Sequence, residues 1–340
     1  MKQPIYIRSA ACISPQQSFG ETALQPVVET VGTRLRCIEP DYKTLLDPKL
    51  IRRMSRIIRM GAASALACLR EAGVKEPDAI VTGTAFGCLE DTGLFLNSLI
   101  ERHEEILQPA SFIQSTHNTV GAQIALLLQC TGYNNTFVHR GFSFESALLD
   151  AMLLLAEGEA AQVLVGGVDE ITDTSHALLS RFGLYRRRPV SNLNLFSPRA
   201  KGTIAGEGAA FFLLGGRQSG HDLARLEAFH TFYKPASAGA VRSELISFMG
   251  ANGLAPEKID LVIAGDNGDT RGDRVYEELR AGLFAGRPWL TYKDLSGEYA
   301  TSTAFALWFA AQQIRAGAGR VLVYNHYLDI YHAAYLLSPP

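Results

Sequence analysis

The sequence predicts an α/β protein built from two duplicated halves, stacked as five layers in the order α/β/α/β/α. Short apolar runs typical of buried strands alternate along the chain with longer helical patterns, which favours sheets covered by helices on both faces. The same helix–strand units occur twice in the same order, and no linker rich in Pro, Gly or Ser separates them. Because long apolar strand runs are typical of parallel sheets, we expect mostly parallel strands.

The first repeated unit is a helix that ends at a glycine and leads through a short polar link into a buried strand. It occurs at residues 67–84, where Gly73 ends the helix and Gly83 ends the strand. The same pattern returns at residues 248–265. A single unit of this kind is common in α/β proteins, so the argument for duplication depends on a second one.

The second repeated unit is again a helix that leaves through glycine into an apolar strand. It occurs at residues 155–166 and at residues 314–324, after the first unit in both cases. The shared order predicts an N-terminal half of residues 1–217 and a C-terminal half of residues 218–340. We expect the join near residues 217–222.

Composition and charge exclude several classes of protein. The chain has 340 residues, of which 47% are hydrophobic and 19% charged, and its formal net charge of -2 gives no general attraction to nucleic acid. No apolar run reaches the roughly 18 residues that a membrane span needs. The five cysteines form no C-x-x-C pair and the eight histidines no metal-spaced cluster. We therefore expect a cytoplasmic protein with no metal, no cofactor, no nucleic-acid partner and no membrane span.

Four motifs follow one another in a recognisable order. Residues 9–15 form a strand and a Ser-Pro turn, residues 115–125 form a helix, residues 206–214 begin Gly-Glu-Gly-Ala, and Lys293 lies in Tyr-Lys-Asp-Leu-Ser-Gly. Together they resemble the β-ketoacyl-acyl carrier protein synthases of the thiolase superfamily, over nearly the whole chain. The resemblance implies a thiolase-like fold, while function must be argued from the site itself.

The resemblance implies a catalytic cysteine at the N-terminus of a helix, where the helix dipole and the unpaired amides favour the thiolate. Counting back from the strand at residues 162–169 places that position at Gly141. A shift of one or two residues reaches Arg140, Phe142 or Ser143, so no cysteine stands there.

The resemblance also implies two catalytic histidines and a glycine-rich loop near the C-terminus. The first histidine position falls at Gly265 or Asp266, and the second falls at Glu298, five residues after the retained Lys293. A segment containing Tyr327 replaces the glycine-rich loop. Because a carboxylate cannot donate a hydrogen bond as imidazole does, we interpret the Cys-His-His catalytic set as missing.

The resemblance further implies a dimer in which the N-terminal halves form the interface. The chain is most similar to the inactive chain-length-factor subunits of polyketide and aryl-polyene pathways, which pair with an active β-ketoacyl synthase. The implied partners are a catalytic ketosynthase subunit and an acyl carrier protein, with a homodimer as the alternative. We expect the interface to use residues 111–114 and 136–138. The residues predicted to line the interface and the acyl tunnel are Phe112, Ile113, Phe142 and Tyr327.

A run of three arginines is the candidate docking site for the acidic carrier protein. Arg186, Arg187 and Arg188 lie in a predicted loop, where positive charge would steer an acidic partner or would simply be solvated. Two other functions stay open. The chain could be an acyltransferase or hydrolase with a non-cysteine nucleophile such as Ser143, or a homodimer that binds acyl chains without chemistry.

Overall fold

Two similar halves form the central sheet of the protein in the computed structural model, which describes residues 4–105, 107, 109–197 and 200–340. The strands are β1 (Ile5–Ile13), β2 (Val31–Gly32), β3 (Ala79–Gly83), β4 (Tyr133–Phe137), β5 (Gln162–Asp169), β6 (Val190–Ser191), β7 (Gly208–Gly215), β8 (Ala224–Tyr233), β9 (Leu261–Ala264), β10 (Trp289–Thr291), β11 (Val321–Tyr327) and β12 (Tyr331–Ser338). The helices are α1 (Pro48–Ile51), α2 (Arg56–Ala72), α3 (Leu89–Glu101), α4 (Pro109–Gln114), α5 (Thr119–Leu128), α6 (Ser143–Glu157), α7 (Asp173–Arg181), α8 (Ala238–Ala251), α9 (Arg274–Ala281), α10 (Lys293–Ser296) and α11 (Ser302–Arg315).

The strand order is the same in the two halves, which confirms the predicted duplication. Counted outwards from the seam, the N-terminal half runs β1-β7-β5-β3-β4 and the C-terminal half runs β8-β12-β11-β9-β10. At the seam, β1 pairs with β8 and joins the halves into one 10-stranded sheet. A separate two-stranded sheet contains β2 and β6.

The expectation of mostly parallel strands is correct for strand direction, since four of the five strands in each half point the same way, but not for the pairings. In each half the two outer pairings are parallel, but the two pairings nearest the seam are antiparallel, as in β1-β7 and β7-β5. The reason is clearest for β12, which follows β11 after residues 328–330, too few for the crossover that a parallel neighbour needs. The strands are still continuously apolar because both faces of the sheet are covered.

Three layers of helices alternate with the two halves of the sheet, which gives the five layers predicted. α2 and α5 pack on the outer face of the N-terminal half, and α8 and α9 pack on the outer face of the C-terminal half. Between the halves, α6 and α11 share one core, and almost every residue of α11 is buried. None of the described helices has the length and apolar character needed to cross a membrane.

The glycines predicted to end helices lie where the chain requires a left-handed backbone. Gly73 follows α2 with φ of 68°, and Gly158 follows α6 with φ of 77°. The C-cap residue of α8 is Asn252, and the next residue, Gly253, has a left-handed backbone. The boundary at residue 217 stays a prediction and falls in the loop between β7 and β8.

Candidate functional site

The predicted nucleophile position lies at the start of α6, beneath two tyrosines. Gly141 belongs to a 3-10 turn, Arg140–Phe142, that runs directly into α6. A Cβ atom on Gly141 would lie 2.8 Å from Cβ and Cγ of Tyr331 and 2.9 Å from Cβ of Tyr327, closer than real Cβ atoms approach. Only a glycine therefore fits beneath the hairpin of β11 and β12.

A buried apolar cluster closes the space above this turn. Its members are Ala85, Phe142, Ala300, Tyr327 and Tyr331. The ring of Phe142 meets the ring of Tyr331 edge-on, with centroids 5.0 Å apart. The structure thus brings two of the predicted tunnel residues, Phe142 and Tyr327, next to Gly141, and Tyr327 also lines neighbouring cavities of about 240 and 520 Å³.

The other two predicted tunnel or interface residues lie elsewhere. Phe112 and Ile113 are on α4 and expose 56% and 60% of their surface, respectively. The structure therefore places them on the surface of the N-terminal half, away from the buried cluster. This position fits an interface and not a tunnel wall within one chain.

The hydroxyl of Ser143 is fully engaged with the backbone. Ser143 Oγ accepts a hydrogen bond from the N–H of His139 and donates one to the carbonyl of Arg140, each at 2.8 Å. These bonds fix the turn before α6, and neither partner is a general base. The arrangement favours a structural role for Ser143 over a nucleophilic one.

A buried ion pair lies at the position predicted for the second histidine. Lys293 Nζ lies 2.6 Å from Glu298 Oε1 and 2.5 Å from Ser302 Oγ. The other carboxylate oxygen, Oε2, accepts a hydrogen bond from Asn267 Nδ2 at 2.7 Å. Burial lowers the pKa of Lys293 below its ordinary value, although Glu298 opposes that effect. A carboxylate held at both oxygens cannot replace a hydrogen-bond-donating imidazole.

The space beside Gly265, one of the two positions predicted for the first histidine, is filled by a side chain of the neighbouring strand. A Cβ atom on Gly265 would collide with the side-chain oxygen of Asn325, on β11. That oxygen also accepts a hydrogen bond from the hydroxyl of Tyr292 at 2.7 Å. Asn325 is thus fixed in the place that a catalytic side chain would need.

Asp266, the alternative histidine position, faces a different part of the molecule. It lines a cavity of about 730 Å³ with Asp273 and Asp294, whereas Glu298 lines a separate cavity of about 520 Å³. Burial, and after it the charge of Asp273, raise the pKa of Asp266 to about 7. The two acidic residues therefore do not share one cavity as an acid/base pair.

A buried histidine that the sequence did not single out ties the hairpin to the rest of the site. His326 Nε2 donates to the carbonyl of Gly272 at 3.1 Å, and Nδ1 accepts the N–H of Asp329 at 3.2 Å. Burial, and then neighbouring His332, lower the pKa of His326 to about 3, so the ring is neutral. In the sequence His326 follows an apolar run that predicts burial in a strand, but its contacts with Gly272 and Asp329 are seen only in the folded structure.

The prediction that Arg186 docks a carrier protein needs correction. Its guanidinium is buried and donates to the backbone carbonyls of Gly202, Leu195 and Gly268 at 2.9–3.0 Å. A side chain committed to three internal carbonyls cannot also meet a partner. Arg187 and Arg188 are exposed and stay docking candidates.

A carboxyl group is buried close to the start of α6. Glu145 Oε1 accepts a hydrogen bond from the hydroxyl of Tyr335, on β12, at 2.8 Å. Burial raises the pKa of Glu145 from 4.5 to about 7, since the charged form is poorly solvated there. The folded protein therefore holds a proton that the unfolded chain releases in mildly acidic solution.

Replacing Glu145 with glutamine is expected to remove a pH-dependent loss of stability. Because the folded-state pKa is raised, the contribution of Glu145 to stability is present below pH 4.5 and is lost as the pH rises to about 7. Glutamine mimics the protonated carboxyl, so the variant should exceed the wild type by about 2–3 kcal/mol at about pH 8 and by little at about pH 4. Denaturant unfolding across this range measures the difference.

The matched control for this measurement is Glu157→Gln, which changes an exposed residue at the end of the same helix. Its effect on the free energy of unfolding should be small at every pH. A difference between Glu145→Gln and the wild type that does not vary with pH would contradict the buried-proton interpretation.

Known proteins resemble this chain in fold over its whole length. The sequence model of the family described as beta-ketoacyl synthase, N-terminal domain, matches residues 14–219, more than half of the chain. The structure named as the ishigamide ketosynthase/chain length factor has a TM-score of 0.83 at 15% identity and covers 100% of both chains. No curated protein sequence matches the chain.

Two further solved structures share this fold at similarly low identity. A beta-ketoacyl synthase from Burkholderia phymatum STM815 has a TM-score of 0.80 at 14% identity and covers 99% of this chain and 100% of its own. The AntDE:AntF complex, a type II PKS acyl-carrier protein with its ketosynthase bound to the hexaketide, has a TM-score of 0.77 at 14% identity and covers 100% of both chains. Identities this low establish the fold alone, so function must be argued from the site.

Proposed function

The chain belongs to the β-ketoacyl synthase family, and from this premise we propose that it is a non-catalytic subunit that pairs with an active β-ketoacyl synthase. In this role it is a chain-length-factor-type protein of fatty acid or polyketide-type biosynthesis. The observation that supports the proposal most is the filled space at Gly141, where Tyr327 and Tyr331 exclude any larger residue. The Lys293–Glu298 ion pair adds to it, because it stands where imidazole would be needed.

The nucleophile and the two histidines whose positions are altered here would act together in one reaction. Condensation needs a nucleophile that holds the acyl group covalently and donors that stabilise the enolate and the oxyanion. Residues that act together in this way leave little rate when even one is removed. Here the nucleophile position and both histidine positions are each occupied by other groups, which supports loss of condensation rather than a modified form of it.

The surface around β4 is suited to pairing with another chain. β4 is an edge strand that pairs only with β3 among the described strands. Large apolar side chains are exposed on β4, directly after it, on α5, which packs against β4, and on the adjoining pair of helices α3 and α4: Leu94, Leu96, Ile100, Phe112, Ile113, Leu126, Tyr133 and Val138. We name these residues the β4 surface. An open strand edge with exposed apolar side chains favours association with a second chain.

The names of two similar structures point the same way. One is named as a ketosynthase/chain length factor, and the other as a ketosynthase in complex with its acyl-carrier protein. They support a partner that retains the catalytic residues, together with a carrier protein as a further partner. Exposed Arg187 and Arg188 are the carrier-docking candidates of this chain.

Phe112→Asp and Ile113→Asp are expected to weaken the pairing by about 30-fold or more, the effect of losing an interface hot spot. The chain is co-expressed with an affinity-tagged β-ketoacyl synthase of the same cell that retains the cysteine and both histidines. The amount of this chain that co-purifies, and the mass of the complex, give the readout. Ile246→Asp is the control, since Ile246 is also exposed (43%) but lies on α8, on the outer face of the C-terminal half.

The subunit proposal fails if the tagged synthase never retains this chain and condenses acyl groups at its full rate alone. Unchanged binding in both Phe112→Asp and Ile113→Asp would instead place the contact outside this part of the β4 surface, and equal loss in all three variants would indicate a general loss of folding. Incubation of this chain by itself with an acyl thioester separates the remaining functions. An acyl adduct on Ser143 would favour the acyltransferase or hydrolase alternative, and a bound acyl chain in a homodimer would favour the binding-protein alternative.

A further inference from the structure

The buried side chains of Lys293 and Asn267 both hydrogen-bond to the carboxylate of Glu298. We propose that Lys293 Nζ and Asn267 Cγ form an intramolecular isopeptide bond, with Glu298 transferring the protons. The bond would join the loop after β9 to α10. The inference does not depend on the subunit role proposed above, because it concerns a reaction within one chain.

One carboxylate bridges the nucleophile and the leaving group. Glu298 Oε1 lies 2.6 Å from Lys293 Nζ, and Oε2 lies 2.7 Å from Asn267 Nδ2. The same carboxylate can therefore take a proton from the attacking amine at one oxygen and give a proton to the departing nitrogen at the other. The three side chains are buried, with exposed fractions of 0% for Lys293, 1% for Glu298 and 8% for Asn267.

Burial prepares the amine for attack. The ammonium form of Lys293 is poorly solvated, and burial lowers the pKa of this group in spite of the nearby carboxylate. A proton can move along the short hydrogen bond to Glu298, which leaves a neutral amine beside a neutral acid. A desolvated lysine in this state is a competent nucleophile toward a carbonyl carbon.

The amide carbonyl of Asn267 is polarised by the backbone. Its side-chain oxygen Oδ1 accepts the N–H of Asp269 at 3.0 Å. A donor in this position stabilises the negative charge that develops on the oxygen as the amine adds to Cγ. The site thus contains a nucleophile, an electrophile, a proton carrier and a donor to the developing oxyanion.

The reaction balances without any added reagent. The Nζ–Cγ bond forms and the Cγ–Nδ2 bond breaks. Of the three protons on the lysine ammonium, one stays on the new amide nitrogen, and Glu298 passes the other two to Nδ2. The leaving group is ammonium, and Glu298 returns to the carboxylate. The cavity of about 520 Å³ lined by Asn267 and Glu298 gives the leaving group a route out.

A competing reaction must be distinguished in the test. Asn267 precedes Gly268, and an Asn-Gly pair can also lose ammonia by forming a succinimide through attack of the glycine nitrogen. Here the N–H of Gly268 donates to Asp273 Oδ2 at 2.7 Å, which restrains that nitrogen. A second Asn-Gly pair, at exposed Asn252, is removed beforehand by Asn252→Ser.

The experiment measures the intact mass of the full chain carrying Asn252→Ser, after incubation at neutral pH, and then maps its tryptic peptides. The expected mass is lower than that of the sequence by one ammonia. The expected map contains a branched peptide that joins the Asn267 and Lys293 segments, with no tryptic cleavage after Lys293. Lys293→Arg and Glu298→Gln should retain the full mass, whereas Asn267→Asp should lose one water instead of ammonia.

Two results overturn the inference. One is a full, unshifted mass after prolonged incubation, with normal tryptic cleavage after Lys293. The other is a loss of ammonia that persists in Lys293→Arg and maps to the Asn267 peptide alone, since this identifies a succinimide. The peptide map of the Asn252→Ser chain by itself separates a branched peptide from a succinimide confined to the Asn267 peptide, so the test does not depend on whether Lys293→Arg folds well.

Discussion

Replacing Glu207 with alanine is expected to lower the free energy of unfolding by about 3–4 kcal/mol, as loss of one partner of a buried ion pair does. Glu207 is fully buried and receives two hydrogen bonds from Arg56, at 2.6 and 2.7 Å. It also accepts the backbone N–H groups of Cys37 and Ile171. Alanine would leave the Arg56 guanidinium and both backbone N–H groups without the carboxylate that accepts their hydrogen bonds. Glu39 still pairs with Arg56, which limits the loss.

Denaturant unfolding of Glu207→Ala measures this effect, and a surface ion pair supplies the control. Glu278 pairs with Arg274 on the exposed side of α9, so Glu278→Ala should cost less than about 1 kcal/mol. If the two substitutions lower stability equally, the ion pair of Glu207 is not the buried anchor that the structure indicates. Glu207 is the glutamate of the Gly-Glu-Gly-Ala motif, so the stability loss of Glu207→Ala also tests whether that motif has a structural role.

Placing a cysteine at the predicted nucleophile position by Gly141→Cys is expected to destabilise the protein by about 3 kcal/mol without creating an acylated thiol, since overpacking a filled site is costly. The new Cβ would overlap atoms of Tyr327 and Tyr331 that lie next to their own backbones. The two tyrosine Cβ atoms cannot move aside by a rotamer change, because their positions are set by the backbone. The positions predicted for the two histidines would still hold Gly265 or Asp266 and Glu298, so a thiolate would lack its catalytic partners.

Gly93→Cys is the matched control for this substitution, because a Cβ atom on Gly93, in α3, meets no heavy atom within 4 Å. It should leave the free energy of unfolding nearly unchanged or slightly higher. Adding Tyr331→Gly to Gly141→Cys should recover part of the lost stability if the overlap is its cause. Full stability of Gly141→Cys, or a thioester formed on incubation with acyl-CoA, would contradict the filled-site interpretation.

The duplicated fold could be predicted because its signals are local. A helix that ends at Gly73 or Gly158 and a strand that follows are both contained in about twenty residues of sequence. The direction of an individual strand, in contrast, could not be predicted from local sequence. β7 runs antiparallel to its neighbours because of how the chain returns to the sheet, and no local pattern of apolar residues reports that.

The site shows the same division between local and long-range information. Spacing from neighbouring motifs is enough to predict Gly141 and Glu298 as positions that lack the family's residues, and this assignment stays a prediction. The groups that fill those positions come from distant segments, as Tyr331 does above Gly141 and Asn325 beside Gly265. Arg186 was misread for a related reason, since three consecutive arginines indicate a surface and only the folded loop brings carbonyls around the first of them.

The shared middle layer has a consequence for how the protein is made. α11 packs against strands of both halves, yet it follows β7 in the chain by 86 residues (302 − 216). During synthesis, the inner face of the first half therefore stays without half of its helical cover until the ribosome has released residues 302–315. We expect the nascent chain to depend on holding chaperones over this interval, because exposed apolar sheet surface promotes aggregation before folding is complete.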